Sequence, residues 1–123
     1  MVGWGNQVNI LKEASKLAKE QNNVSCEIID LQTIIPWDKY SVMKSVKKTG
    51  RLLIAHEAPK TAGFAAEIAS QIQEECLYNL KSPIIRVTGW DTPFPLVFEQ
   101  VYLPDKFRCY EAIVSSMNQF NSL

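Results

Sequence analysis

The chain has 123 residues, of which 46% are hydrophobic and 21% charged, and this composition is typical of one globular domain covering residues 1–123. Thirteen Lys and Arg residues balance thirteen Asp and Glu residues, so the basic surplus needed for binding nucleic acid is missing. No apolar run reaches the length of about 18 residues that indicates a membrane-spanning helix.

Periodic segments predict alternating helices and strands along the chain. Residues 7–21 place their apolar side chains on one helical face, with Asn6 as the expected N-cap, and residues 24–30 alternate as in a strand. The later predicted elements are a helix over 36–47, which Thr49 and Gly50 end, a strand over 51–55, a helix over 63–79, a strand over 84–87 and a helix over 105–120. We expect the last helix to bury Phe107, Tyr110, Ile113, Val114 and Met117.

This order predicts the α/β fold class, with three layers and helices on both faces of a mainly parallel sheet of about five strands. A doubly wound domain normally opens with a strand, and only residues 1–4 precede the first helix. We therefore expect the first strand to be clipped. Residues 89–104 show no regular period, and loops of this length are usually functional or packed on a neighbour.

The three cysteines are odd in number and far apart, at Cys26, Cys76 and Cys109. A disulfide framework or a zinc site would need an even or closely paired set, so reduced and mostly packed thiols are expected.

Motifs for catalysis are incomplete. Residues 3–5 are Gly-Trp-Gly between a strand remnant and a helix, but Val8 stands where the dinucleotide fingerprint has glycine. We interpret residues 3–5 as a tight strand-to-helix turn. The sequence contains no nucleophile elbow, no P-loop lysine and no paired-histidine metal motif.

His56 is the only histidine and is followed by Glu57 at the carboxyl end of the strand predicted over 51–55. Ligands often bind at such strand ends, and a His-Glu pair is chemically capable of acid–base catalysis. Adjacent residues in a strand point to opposite faces, however, which weakens a joint role. A structural or interface role for His56 is therefore favoured over a catalytic one.

Three other segments are candidate interaction sites. Glu74 and Glu75 lie late in a helix, where negative charge opposes the helix dipole, so they form either a solvated face or a patch for a basic partner. The small residues of 63–70 suit either core packing or a subunit interface. Residues 89–95 combine two prolines with two large aromatic side chains, and an interaction surface and a packed lid are equally consistent with them.

Several segments resemble a known family and follow its order over nearly the whole chain. The strings are IDLQTIIPWD (29–38), RLLIAHEAP (51–59), GFAAEI (63–68), DTPFP (91–95), PDKF (104–107) and CY (109–110). They resemble the transketolase-type carboxy-terminal domain of 2-oxoacid dehydrogenase β subunits, and the branched-chain member in particular. The pyruvate member typically has Glu-Gly-Gly where this chain has HEAP at 56–59.

The resemblance implies an oxidoreductase subunit in an α2β2 heterotetramer that uses thiamine diphosphate and magnesium. Such an enzyme decarboxylates the 2-oxo acids of leucine, isoleucine and valine and transfers the acyl group to lipoamide on an acyltransferase core. The family's cofactor lies between the α subunit and the amino-terminal domain of β. No catalytic, cofactor-binding or metal residue is therefore expected within these 123 residues. The implied location is the mitochondrial matrix for a eukaryotic source and the cytoplasm otherwise.

The resemblance also implies which residues contact partners. Contacts with the α subunit and a second β subunit are expected at His56, Glu57, Gly63, Phe64, Pro93, Phe94, Pro95 and Asp105. Asp105 resembles the family's aspartate at an α–β contact, and it suits equally well a cap of the last helix. Acyltransferase docking is expected near Glu74, Glu75 and Lys81, although Lys81 and Ser82 stand where relatives often carry an acid.

Two alternatives stay open. The chain could be a free-standing α/β module that binds a small molecule at the strand ends near His56 and Gly5, or the equivalent domain of pyruvate dehydrogenase β or transketolase. A module predicts saturable small-molecule binding by the chain alone, whereas an assembly domain predicts binding to an α subunit or to another copy.

Overall fold

The computed structural model describes residues 1–118, which form a parallel sheet covered by helices. The strands are β1 (Val2–Gly3), β2 (Ile29–Asp30), β3 (Leu53–Pro59) and β4 (Ile85–Gly89). The helices are α1 (Gln7–Asn22), α2 (Lys39–Thr49), α3 (Phe64–Cys76), α4 (Glu99–Tyr102) and α5 (Lys106–Asn118), with 3₁₀ turns at Leu77–Asn79 and Leu96–Phe98.

The sheet has the strand order β2-β1-β3-β4, and all neighbouring strands are parallel. Val2 in β1 pairs with Ile29 on one side and with Ile54 on the other, so the short first strand lies inside the sheet. The predicted parallel α/β sheet is confirmed. Residues 1–118 contribute four strands to it where about five were expected.

Two apolar clusters sandwich the sheet. On one face, α2 and α3 contribute Val42, Val46, Ile68 and Ile72, which pack with Ile54. On the other face, α1 and α5 cover β3 and β4 with Leu11, Ala14, Ala18, Cys109 and Ile113. Burying each of the larger aliphatic side chains contributes about 1.5–3 kcal/mol. The predicted three-layer arrangement is thereby confirmed.

The ends of two helices differ from the prediction. α2 begins at Lys39 rather than at Pro36, because the Asp38 carboxylate caps the helix by accepting a hydrogen bond from the Ser41 amide at 3.0 Å. It ends, as expected, at Gly50, whose φ of 74° suits a left-handed cap. Asn6 occupies the N-cap position of α1, but its side chain accepts from the Asn9 side chain rather than from a backbone amide.

Three further expectations are corrected. The predicted strand over 24–30 shrinks to β2, because β1 offers only two residues for pairing. The segment without a predicted period, 89–104, contains a 3₁₀ turn and α4. Within α5, Phe107 and Met117 are exposed, and the buried positions are Cys109, Ile113 and Ser116. The predicted end of this helix at 120 lies outside the described residues.

The thiols are free, with Cys76 and Cys109 buried and Cys26 half-buried, as expected. Among the described residues, no helix is both long and apolar enough to cross a membrane.

Candidate functional site

A crevice opens at the carboxyl edge of the sheet between β1 and β3. The chain leaves β1 towards β2 on one side and leaves β3 towards β4 on the other, and the helices that follow, α1 and α3, pack on opposite faces. Such a reversal of strand order is where ligands bind in open α/β sheets. The crevice has a volume of about 280 Å³ and is lined by Trp4, Gly5, Asn6, Ile34, His56, Glu57, Ala58 and Phe64.

His56 forms the floor of this crevice, with 1% of its surface exposed. Its Nδ1 lies 3.0 Å from the carbonyl oxygen of Ala58. A carbonyl only accepts hydrogen bonds, so Nδ1 carries the proton and Nε2 of the neutral ring is an acceptor. Nε2 has no hydrogen-bond partner among residues 1–118. Burial lowers the pKa of His56 and outweighs the Ala58 carbonyl, which raises it.

The start of α3 fits tightly around this histidine. A Cβ added to Gly63 would lie 2.6 Å from both Cε1 and Nε2 of His56, so only glycine lets the helix approach the ring this closely. The Trp4 ring lies 5.5 Å from the His56 ring and 6.1 Å from Phe64. Glu57 is exposed at the rim, on the other side of the strand from His56. The structure thus brings four of the predicted site residues together.

The segment after β4 is fastened by side chains at the same edge. Trp90 Nε1 donates to the Val101 carbonyl at 2.9 Å, and the Arg108 guanidinium stacks 4.4 Å from the Trp90 ring. Asp91 accepts from the amide and the hydroxyl of Thr61 at 2.9 and 2.6 Å, and these hydrogen bonds lower the pKa of Asp91. They join the loop after β3 to the loop after β4.

This fastened segment presents five exposed apolar side chains between residues 94 and 101, which we call the apolar loop surface. Its members are between 53% and 87% exposed and are Phe94, Leu96, Val97, Phe98 and Val101. The adjoining Pro93 is exposed and Pro95 is half-buried. Of the two interpretations of this loop, the structure favours an exposed surface. Sequence reasoning singled out residues 89–95 and missed Leu96, Val97, Phe98 and Val101.

Asp105 precedes α5 and is exposed. Its Oδ1 accepts a hydrogen bond from the Arg108 amide at 2.8 Å, which confirms the helix-capping interpretation. The neighbouring Pro104 carbonyl accepts from Gln7 Nε2, at the start of α1, at 3.2 Å. Asp105 therefore lies at the same edge of the sheet as the crevice.

The three residues expected to dock an acyltransferase lie elsewhere. Glu74 and Glu75 are in the last turn of α3, more than about 15 Å along the helix from its start at the crevice. Glu75 pairs with Lys39 at 3.5 Å. The Lys81 amide donates to the Gly50 carbonyl at 2.7 Å, close to where β3 begins. All three side chains are exposed.

Within residues 1–118, no three His, Cys, Asp or Glu side chains group as a metal site.

Residues 1–109 match the family model of the transketolase C-terminal domain, and the chain belongs to this family. The fold agrees: a split gene transketolase, described as an inactive β4 tetramer, superposes with a TM-score of 0.75 at 20% identity, over 95% of this chain and 37% of that one.

Individual relatives show which members of this family the chain is similar to. The chain is 54% identical over 117 residues to the mitochondrial 2-oxoisovalerate dehydrogenase subunit beta of Dictyostelium discoideum, covering 95% of this chain and 32% of that protein. It is 56% identical over 118 residues to the mitochondrial subunit beta 2 of Arabidopsis thaliana, covering 96% and 33%. The pyruvate dehydrogenase E1 component subunit beta of Leifsonia xyli is 39% identical over 118 residues, covering 95% and 35%. The chain spans about a third of the length of these relatives. The resemblance read from the sequence is confirmed.

Proposed function

We propose that this chain is the subunit-assembly and partner-docking domain of the β subunit of a thiamine-diphosphate-dependent branched-chain 2-oxoacid dehydrogenase. The apolar loop surface is the observation that carries the proposal. A contiguous apolar patch on a folded domain marks an interaction site, and aromatic side chains are enriched in such sites. The hydrogen bonds of Trp90 and Asp91 hold the loop in place, so less conformational entropy is lost when a partner binds.

Branched-chain 2-oxo acids are the proposed substrates of the assembled enzyme. The relatives from Dictyostelium discoideum and Arabidopsis thaliana, each more than 50% identical, carry the 2-oxoisovalerate name. This chain has HEAP at 56–59, where the pyruvate member typically has Glu-Gly-Gly. We expect the assembled enzyme to turn over 2-oxoisovalerate with a higher kcat/KM than pyruvate. The reverse order would instead assign the chain to the pyruvate enzyme. Both relatives are named mitochondrial, which supports the mitochondrial matrix for a eukaryotic source.

The cofactor is assigned to the parent enzyme and not to this chain, because the family resemblance implies a cofactor site between the α subunit and the amino-terminal domain of β. We expect calorimetry to show no binding of thiamine diphosphate with magnesium to this chain alone. Micromolar binding would contradict this assignment.

The proposed partners use two different surfaces. The α subunit and the second β subunit would contact the carboxyl edge, at the crevice rim, the apolar loop surface and Asp105. The lipoyl acyltransferase would dock at Glu74, Glu75 and Lys81, where two carboxylates form an exposed acidic pair.

A pair of matched variants tests the assembly surface. Phe98→Ser removes an aromatic side chain that is 65% exposed in the apolar loop surface, and Tyr40→Ser removes one that is 79% exposed on α2. We expect Phe98→Ser alone to weaken co-elution of the β subunit with the α subunit in size-exclusion chromatography, with neither variant changing the melting temperature. Equal elution of the two variants would contradict the proposal, and failure of the native protein to bind any α subunit would favour the free-standing module.

Variants of Asp105 distinguish a role in capping α5 from a role in partner contact. Asn caps a helix about as well as Asp, whereas Ala does not, at a cost of about 1 kcal/mol. We expect Asp105→Asn and Asp105→Ala both to weaken α–β assembly, and only Asp105→Ala to lower the melting temperature. If Asp105→Asn assembles normally, the residue acts only as a cap.

A further inference from the structure

We propose that a cavity at the amino edge of the sheet is a docking slot for one further strand segment, supplied by the polypeptide that precedes Met1 in a longer β subunit. We call this cavity the strand slot. The inference rests on the proposed function, which assigns the chain to such a subunit. The strand slot has a volume of about 380 Å³ and is lined by Met1 and by the residues that lead into β2 and β3. It therefore lies at the opposite edge of the sheet from the crevice and the apolar loop surface.

The strand slot has the width of one strand. β2 and β3 both pair with Val2, so their backbones are about two strand spacings, or roughly 9.6 Å, apart. Beyond Met1, the two flanks continue as residues 24–27 and 51–53, and both line the cavity. Because Val2 is level with Ile29, Met1 is level with Ile28. Residues 24–27 therefore border a gap that about four extended residues would fill.

The backbone groups along one flank are placed for a parallel ladder. The Met1 nitrogen donates to the Glu27 carbonyl at 2.6 Å, and the Ile29 amide donates to the Met1 carbonyl at 2.9 Å. This is the hydrogen-bond pattern of parallel strands. The next groups in the series are the Glu27 amide and the Ser25 carbonyl, and neither has a backbone partner among residues 1–118. A strand that continues upstream of Met1 would pair with both groups.

Residues 24–28 already have the side-chain pattern of a strand. Val24, Cys26 and Ile28 pack against the apolar cluster formed with α1 and α5, whereas Ser25 and Glu27 are exposed. The same alternation predicted a strand over 24–30, yet only its last two residues pair with β1. The strand slot accounts for this difference, because it places the missing pairing partner beside residues 24–27.

The occupant is best supplied by residues joined covalently to Met1. A strand in the slot would run directly into β1 without a turn. Burial lowers the pKa of the Met1 amino group, because removal from water disfavours a charged group. A peptide amide at this position would keep the hydrogen bond to the Glu27 carbonyl without a charge, whereas a separate peptide would leave the charge in place. The relatives from Dictyostelium discoideum and Arabidopsis thaliana are about three times as long as this chain, which provides such a segment.

The walls of the strand slot specify which side chains fit. Successive residues of a strand face opposite sides of the sheet, and Val2 packs with the α2 and α3 cluster whereas Met1 packs with the α1 and α5 cluster. The residue before Met1 would therefore face α2, where Ser45 and Thr49 line the cavity. A small hydroxyl side chain fits there. The residue before that one would face α5, where Ile113 lines the cavity, and a branched apolar side chain fits.

Two extensions of equal composition test this fit. Val-Thr-Val-Thr joined to Met1 directs threonine towards α2 and valine towards α5. Thr-Val-Thr-Val reverses both, because a shift of one residue moves every side chain to the other face. We expect the first extension to raise the melting temperature of the chain by about 5–10 °C, since it buries a valine, and the second to raise it by at most about half as much. Equal melting temperatures for the two extended chains would overturn the proposal.

Hydrogen exchange resolved to single amides identifies the occupant in the intact protein from its source. We expect the Glu27 amide to exchange at least about tenfold more slowly in that protein than in the chain of 123 residues. The Val24 amide, which donates to the Ala18 carbonyl at 3.1 Å, is the control and should exchange equally fast in both. Equal exchange of the Glu27 amide, or a source protein whose first residue is Met1, would overturn the proposal. None of these outcomes depends on binding to the α subunit, which the Phe98→Ser comparison measures separately.

Discussion

Replacing Gly63 tests whether the contact between His56 and the start of α3 is as tight as the structure shows. An alanine Cβ would lie 2.6 Å from two ring atoms of His56 and closer still to the Pro59 carbonyl oxygen. The backbone itself tolerates a side chain, because φ is −74° and ψ is 148°. Any destabilisation must therefore come from steric overlap and from the weaker capping by alanine.

The expected magnitude follows from three contributions. Overpacking destabilises the protein by about 1–3 kcal/mol, and replacing glycine by alanine at an N-cap destabilises it by about 1 kcal/mol. The lower conformational entropy of the unfolded alanine variant stabilises it by about 0.4–1 kcal/mol. We expect Gly63→Ala to lower the free energy of unfolding by about 2 kcal/mol. For a domain of this size, that change lowers the melting temperature by roughly 8 °C.

Urea denaturation followed by circular dichroism measures this change. Gly63→Ser separates the two causes, because serine is among the best N-cap residues but carries the same Cβ. We expect Gly63→Ser also to destabilise the protein. Asn6→Ser, at the N-cap of α1, serves as the control and should change the free energy of unfolding by less than about 0.5 kcal/mol. A stabilised Gly63→Ser variant, or a Gly63→Ala variant as stable as the native protein, would refute the reasoning.

Two further predictions concern buried groups. Because burial lowers the pKa of His56 below 6.5, the unfolded chain takes up the proton first. The stability that this group contributes is present above pH 6.5 and lost as the pH falls through its folded-state pKa, by at most about 1.4 kcal/mol per pH unit. Urea melts between neutral pH and the onset of carboxylate titration should show this slope, and a His56→Gln variant that keeps it would contradict the assignment. Burial also raises the pKa of Cys109 to about 11, so brief treatment of the native protein with iodoacetamide should alkylate half-buried Cys26 before Cys109. Peptide masses reporting Cys109 as the faster thiol would show that it is accessible.

Local patterns in the sequence were enough to predict most elements. The alternating helices and strands gave the parallel sheet, and Gly50 marked the end of α2 because left-handed caps favour glycine. Strand alternation predicted that His56 and Glu57 point to opposite sides, and the structure buries His56 and exposes Glu57. The start of α2 was predicted three residues early, because Pro36 is a strong helix-start signal. The hydrogen bond that Asp38 accepts from the Ser41 amide decides where the helix begins. The predicted strand over 24–30 was too long, because β1, the strand it pairs with, has only two residues.

The candidate site was predicted only in part. Family resemblance and strand-end position identified His56, Gly63 and Phe64, which the structure brings together. The exposure of Leu96, Val97, Phe98 and Val101 was not predicted, because an apolar side chain in a loop has no periodicity to show which way it faces.

The sequence alone determined the α/β class, the family and the identity of the strand-end residues, since these depend on short-range periodicity and on recognisable strings. Only the tertiary structure decided which distant groups meet: Thr61 with Asp91, Trp90 with Val101, and Gln7 with Pro104. It also decided that Nε2 of His56 lies beside the start of α3 without a partner among the described residues. Such pairings follow from how the helices pack on the two faces of the sheet. Burial of apolar area selects this packing, and no short stretch of sequence encodes each polar contact that results.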